Sequence, residues 1–191
     1  MIEARRVFAA TLAAGLARRF GGDKLSQQFG GGSVLGAALA PLDGFDWLER
    51  GVVVQAGRDV PGMPIVNPAP ERGMGHSLAL AARAAEEARA DFLLVTLGDM
   101  PRLRAASLGR LLQACPDRDD ALAALVVRGG PPGPPAVFGK SWFRQLGLEG
   151  GDTGARDVLR DPANSPVLVD LPADEAADID TPADLRRLRD D

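Results

Sequence analysis

Val7-Phe8-Ala9-Ala10-Thr11-Leu12-Ala13-Ala14-Gly15 is a short, almost wholly apolar run with no helical period, halted by small residues and a glycine. Such a run reads as a strand covered on both faces, the mark of a parallel sheet. Leu16-Ala17-Arg18-Arg19-Phe20-Gly21-Gly22-Asp23-Lys24 follows as a loop, where glycines let backbone N–H groups approach a ligand and Arg and Lys add positive charge. Those are the parts of a polyphosphate cradle, in the order a cradle needs them. Neither standard glycine motif fits, because five residues separate Gly15 from Gly21 and Lys24 precedes Leu25 rather than Ser or Thr. A solvated turn carrying stray cations is the alternative.

Outward from this stretch the chain alternates between strand and helix patterns. A helix is expected over 33–42, strands over 51–55 and 64–66, and a long Ala-rich helix over 77–90 with Ser77 as its N-cap. A second wholly apolar strand, 92–97, leads into Gly98-Asp99-Met100-Pro101, then a helix over 105–114 and a strand over 122–127. The Gly/Pro-rich stretch 129–135 reads as a loop, followed by a strand at 136–138, helices near 141–146 and 154–160, and a strand at 167–171. Thr181, Pro182 and Asp184 have the order of a cap, a first helical residue and a first-turn acid for a last helix. The pattern predicts an α/β fold, a mostly parallel sheet with helices on both faces, as one domain over 1–191. Ligands of such sheets bind beyond the carboxyl ends of strands, which points to the segments after Leu12 and Leu97.

Composition narrows the chemistry. The 191 residues are 46% hydrophobic and 25% charged, with 22 basic and 26 acidic side chains for a net charge of −4, which argues against nucleic acid or an anionic membrane as partner. A single cysteine, Cys115, and a single histidine, His76, leave no internal disulfide and no nitrogen–sulfur metal site, so any metal must bind through oxygen. No run approaches the roughly 18 apolar residues of a membrane span, and Met1 to Arg6 lacks the apolar core of a signal peptide. The expectation is a soluble cytoplasmic protein. Only Lys24 and Lys140 are lysines among the 22 basic residues, which makes Lys24 stand out.

Asp99, directly after an apolar strand, either aims a carboxylate into the crevice as a hard ligand for Mg2+ or caps the next helix. Asp178 and Asp180 share one face of an extended segment, and one of them either joins Asp99 or complements the dipole of the last helix. Asn67, Gly73 and Ser77 supply an amide, flexible backbone and a hydroxyl before the long helix, suited to a base or ribose or simply to a capped loop. His76 and Cys115 read as a solvated or capping residue and a structural thiol rather than as a base and a nucleophile.

Leu12-Ala13-Ala14-Gly15 with Arg19, Gly21 and Lys24 resembles the L-A-A-G-x-S-x-R-x-G-x-x-K signature of the molybdenum cofactor nucleotidyltransferases, in particular their CTP-dependent, MocA-like branch, related to MobA-like NTP transferases. Asn67-Pro68 with Gly73-Met74 and Ser77-Leu78, Leu97 to Pro101, Gly151-Asp152 with Gly154 to Arg156, and Asp178 to Pro182 with Asp184-Leu185 resemble further family segments in the family's order, over about 7–188. The resemblance implies a three-layer Rossmann-like fold of the nucleotide-diphospho-sugar transferase type. It also implies transfer of CMP from CTP, or GMP from GTP, to the phosphate of molybdopterin with release of pyrophosphate. By the same carry-over Arg19, Lys24 and Asp99 are catalytic, and Asp99 and Asp180 hold Mg2+. Leu12, Ala13, Ala14, Gly15, Arg19, Lys24, Asn67, Gly73, Ser77 and Asp99 bind the nucleotide, and Asp152 and Arg156 bind the acceptor. A molybdoenzyme or its maturation factor is the implied protein partner.

The sequence also departs from that family. Ala17 stands where it usually has Ser, and Pro134 where it has His or Asn. Ala14 favours CTP, whereas Gly21-Gly22-Asp23-Lys24 resembles the GTP-using relatives. The same chemistry on another phosphorylated acceptor, such as a sugar phosphate, and a non-catalytic nucleotide-binding accessory of molybdoenzyme maturation remain open readings.

Overall fold

The computed structural model describes residues 1–148 and 154–190. The chain folds as β1 (Val7–Leu12), a small hairpin of β2 (Gln28–Phe29) and β3 (Gly32–Ser33), α1 (Val34–Leu39), β4 (Glu49–Gln55), β5 (Met63–Asn67) and α2 (Met74–Glu87). It continues as β6 (Phe92–Leu97), α3 (Ala105–Ala114), β7 (Leu122–Val126), β8 (Ala136–Gly139), α4 (Phe143–Leu148), α5 (Gly154–Arg160), β9 (Val167–Asp170) and α6 (Pro182–Asp190).

Seven strands form one sheet in the order β5-β4-β1-β6-β8-β7-β9. All neighbours are parallel except around β8, which runs antiparallel to both β6 and β7. Alternation along β1 divides the core. Val7 and Ala9 pack with Leu94 on one face, under α1, α3 and α6, while Phe8, Ala10 and Leu12 pack with Leu93 and Val95 on the other, under α2, α4 and α5. Two helical layers around a doubly covered sheet explain why β1 and β6 carry apolar residues at nearly every position.

From β1 the chain moves outward to β4 and β5, then returns to β6 on the opposite side of β1. This reversal opens a crevice beyond the carboxyl ends of β1 and β6. The two ends touch there: Gly98 N–H donates to the Leu12 carbonyl at 2.9 Å.

Several boundaries differ from the sequence expectation for local reasons. The helix expected over 33–42 is α-helical only to Leu39, and 40–44, which includes Pro41, continue as a 3-10 turn. Ser33 is its N-cap, accepting from Gly36 N–H at 3.0 Å. Ser77 does not cap α2. The helix starts at Met74 behind Gly73, whose φ of 84° favours a glycine, and Ser77 lies buried within its first turns. Thr181 does cap α6, accepting from Asp184 N–H at 3.2 Å while the Asp184 carboxylate accepts from Thr181 N–H at 2.8 Å. Among the described residues no helix is long and apolar enough to cross a membrane.

A Cβ on Gly98 would lie 3.0 Å from the Ala13 Cβ and 3.1 Å from the Leu35 Cδ1, so the close approach of the two strand ends needs a residue without a side chain. Gly98→Val is expected to lower unfolding free energy by about 1–3 kcal/mol through overpacking, measured by urea denaturation. Wild-type stability in that variant would show that the ends can separate freely.

Candidate active site

The loop leaving β1 is held in place by its neighbours. Ala13 N–H donates to the Val53 carbonyl at 2.8 Å, and Gln55, at the end of β4, donates from Nε2 to the carbonyls of Ala14 at 3.3 Å and Gly15 at 3.2 Å. Ala17 adopts a left-handed φ of 47°, and its carbonyl accepts from the N–H groups of Phe20 at 3.0 Å and Gly21 at 3.1 Å, closing the turn that carries Arg18 and Arg19. Farther on, Asp23 accepts from Arg58 Nη2 at 2.6 Å and from the Ser26 hydroxyl at 2.6 Å. Burial alone would raise the Asp23 carboxyl, but those hydrogen bonds outweigh it and hold the group below its ordinary value.

Lys24 is the hub. Its side chain is 10% exposed, and Nζ donates to Asp99 Oδ2 at 2.7 Å, to the Ile179 carbonyl at 2.7 Å and to Asp180 Oδ1 at 3.4 Å. Arg19 Nη1 donates to the other oxygen of Asp180 at 2.7 Å. Ile179 N–H also donates to the Asp99 carbonyl at 3.0 Å, so the segment before α6 is tied to the end of β6 by backbone as well as by charge. Partial desolvation, followed by the negative charges of Asp180 and Asp99, pushes the Asp178 carboxyl above its ordinary value.

These groups border a cleft of about 380 Å³. Of the residues expected to serve the site, Leu12, Ala13, Ala14, Gly15, Arg19, Lys24, Gly73, Ser77, Asp99 and Asp180 all line it. Asn67 does not. It is 1% exposed, and its amide is engaged behind the wall, donating to the Ser77 hydroxyl at 3.0 Å and accepting from Ala69 N–H at 2.8 Å, so it orients Ser77. Arg156 is exposed and borders a smaller hollow with Pro134, which shares Leu12 and Met74 with the main cleft. Asp152 lies outside the described residues. His76 is not part of the lining.

Three contributors escaped the sequence reading, Gln55, Glu71 and the Ile179 carbonyl, and Arg18, read there as one of the loop's cations without a role of its own, lines the cleft with Glu71. Gln55 had a usable signal, because it ends an apolar strand on the same edge as Leu12 and Leu97. A backbone carbonyl carries no such signal.

The donor set suits a hard divalent cation. Two carboxylates from separate elements converge on one point, at present held by an ammonium, and among the described residues no trio of acidic, His or Cys side chains could cage an ion unaided. Two carboxylates, with the remaining positions left to water and phosphate oxygens, is the pattern of Mg2+.

Comparison with known proteins identifies the family and the fold. The MobA-like NTP transferase domain matches residues 9–167. The purine catabolism protein PucB of Bacillus subtilis (strain 168) is 31% identical over 121 residues, 62% of this chain but only 57% of PucB. Rv0371c of Mycobacterium tuberculosis H37Rv superposes over 100% of both chains with a TM-score of 0.84 at 24% identity. A structure of Rv0371c in complex with manganese superposes over 96% of this chain and 98% of that one, with a TM-score of 0.77 at 22% identity. The molybdopterin-guanine dinucleotide biosynthesis protein A of Archaeoglobus fulgidus covers 96% of this chain and 97% of its own, with a TM-score of 0.63 at 18% identity. At such identities the superpositions speak for the fold.

Lys24→Met removes the counter-charge that, alone among the described residues, touches Asp99, and strips a hydrogen bond from the Ile179 carbonyl. Because the two carboxylates keep part of their solvent, the expected loss is about 1–3 kcal/mol rather than the full cost of orphaning a buried ion. Combined with Asp99→Asn it should fall short of additivity by at least about 0.5 kcal/mol in urea unfolding. Strict additivity would mean the two side chains are not coupled.

Proposed function

Because the chain belongs to the MobA-like NTP transferase family, and is a nucleotidyltransferase on that ground, we propose that it transfers CMP from CTP to the phosphate of molybdopterin and releases pyrophosphate, with Mg2+ as cofactor. The observation that carries this reading is the 2.7 Å contact of Lys24 with Asp99 inside the cleft that Leu12 to Gly15 border. It puts cationic and anionic groups where one triphosphate and one hard cation can be held together. Ala14 favours CTP, with GTP the alternative donor.

In the proposed reaction an oxygen of the acceptor phosphate attacks the α phosphorus, a new phosphoanhydride forms, and the bond to the β phosphate breaks with its electron pair leaving on pyrophosphate. No covalent nucleophile is required, so the chain's task is positioning and charge neutralisation. Ala13, Ala14 and Gly15 set the backbone against the nucleoside, with Gln55 fixing the carbonyls of Ala14 and Gly15 and Asn67 orienting Ser77. Arg19 and Lys24 balance charge on the leaving pyrophosphate. Asp99 and Asp180 would hold Mg2+, which when bound supplies positive charge to the phosphate oxygens. Arg156 serves the acceptor, as would Asp152.

One observation favours a second reading on the acceptor side. Pro134 borders the hollow beside Arg156 together with Leu12, Met74 and Leu78, so that wall is largely apolar. A different phosphorylated acceptor, such as a sugar phosphate, is therefore the runner-up, and a nucleotide-binding accessory without turnover is the third.

Purified protein incubated with CTP or GTP, Mg2+ and molybdopterin is expected to release pyrophosphate stoichiometrically with dinucleotide product. Turnover only with another acceptor selects the second reading, and nucleotide binding with no turnover on any acceptor selects the third. Asp99→Asn keeps an acceptor for Lys24 while removing a charge. It should cut pyrophosphate release by about 10²-fold or more, on the scale of losing one electrostatic contact to a reacting phosphate. An unchanged rate would remove Asp99 from the machinery.

A further inference from the structure

The cations of the cleft are not equivalent once their donors are counted. An ammonium has three N–H bonds, and Lys24 Nζ already has three acceptors, on Asp99, Ile179 and Asp180. Arg19 is paired with Asp180 at 2.7 Å, and Arg58, beyond the lining, is paired with Asp23. Lys24 must let go of an acceptor before it can grip a phosphate, and Arg19, which spends one of its five N–H groups on Asp180, offers a phosphate only the remainder of its guanidinium. Arg18 lines the same cleft, is exposed, and among the described residues makes no hydrogen bond or ion pair. The left-handed turn at Ala17 immediately precedes it, and the Ala17 carbonyl is fixed by two backbone N–H groups, so the residue projects from an anchored turn.

Resting on the nucleotidyltransferase reading, we propose that Arg18 is the phosphate-capturing residue of this cleft. Its planar fork meets the polyphosphate of an incoming NTP without first breaking any contact within the protein. A guanidinium pairs bidentately with phosphate oxygens, and nothing has to be desolvated in exchange except the fork itself. Glu71 lines the cleft as well and opposes an incoming anion, so an unpaired cation on the opposite side of the balance is what allows the anion to enter. Arg18 thus supplies binding that is equal in ground and transition states, whereas Lys24 turns to the phosphates only as its carboxylates acquire another partner, and Arg19 meets them with the N–H groups that Asp180 leaves over.

Calorimetric titration of the full chain with CTP and GTP in Mg2+ tests this, with Arg18→Ala and Arg18→Lys beside wild type. Since Arg18 makes no hydrogen bond or ion pair among the described residues, both variants should melt as wild type does. Arg18→Ala should weaken NTP binding by about 10- to 100-fold, the worth of a charge-assisted contact. Arg18→Lys should fall between, and in pyrophosphate release most of the loss in kcat/KM should appear in KM. Arg18→Ala binding both nucleotides within twofold of wild type, or losing kcat at unchanged KM, would overturn the inference alone. Wild-type protein that binds neither CTP nor GTP would overturn the nucleotidyltransferase reading and the inference with it.

Discussion

The ammonium of Lys24 joins three pieces of chain that sequence keeps far apart: the loop after β1, the end of β6 and the approach to α6. A lysine this little exposed must be repaid for its lost hydration by good acceptors. It has two carboxylates and a carbonyl, and among the described residues Asp99 in turn has no other cation in contact. The arrangement exists only because β1 and β6 are adjacent, parallel and of matched length, from Val7 beside Phe92 to Leu12 beside Leu97. A shift of one residue between those strands would turn every side chain of one strand to the opposite helical layer and carry Asp99 away from the loop.

The site and the fold therefore share their determinants. Gly98 allows the strand ends to approach, its N–H closes on the Leu12 carbonyl, and Asp99 is the next residue. Gln55 at the end of β4 turns toward the loop of the neighbouring β1, while Asn67 at the end of β5 turns toward Ser77 on α2, the helix that follows it. Four consecutive strand ends in the sheet, β5-β4-β1-β6, each contribute something to one rim. Rigid elements set these groups, which is how a site keeps its geometry without a covalent or metal staple.

Much of this was legible in the residues because the signals were local. Val7 to Leu12 and Phe92 to Leu97 could only be doubly covered strands, and strands so covered imply where ligands sit. The family resemblance implied that Lys24, Asp99 and Asp180 converge on one nucleotide, and the three segments do meet, although their direct ion pairing was not part of that expectation. The antiparallel insertion of β8 was not legible, because an apolar run such as Ala136 to Phe138 carries no information about strand direction. The start of α2 was misplaced because Ser77 looks like a cap. Its hydroxyl serves Asn67 across ten residues, a tertiary contact that overrides the local preference. The hairpin of β2 and β3 is too short, at two residues a strand, for any periodicity to show.

The two sides of the cleft differ in how firmly the fold dictates them. The side proposed for phosphate is built from strand ends and a partly buried ion pair, so changing it means changing what packs against the core. The side proposed for the acceptor is bordered by Pro134 and Arg156, which lie beyond the central strands, on a loop and on the short helix α5. Residues in such positions can be replaced without disturbing the sheet, which is how one scaffold accommodates different substrates. Nucleotidyl transfer follows from the part of the molecule that packing constrains, whereas the choice of acceptor follows from the part that it leaves free. Pro134 is an instance of that freedom: it alters the wall of the hollow while β7 and β8, on either side of its loop, remain paired through Ala124 and Ala136.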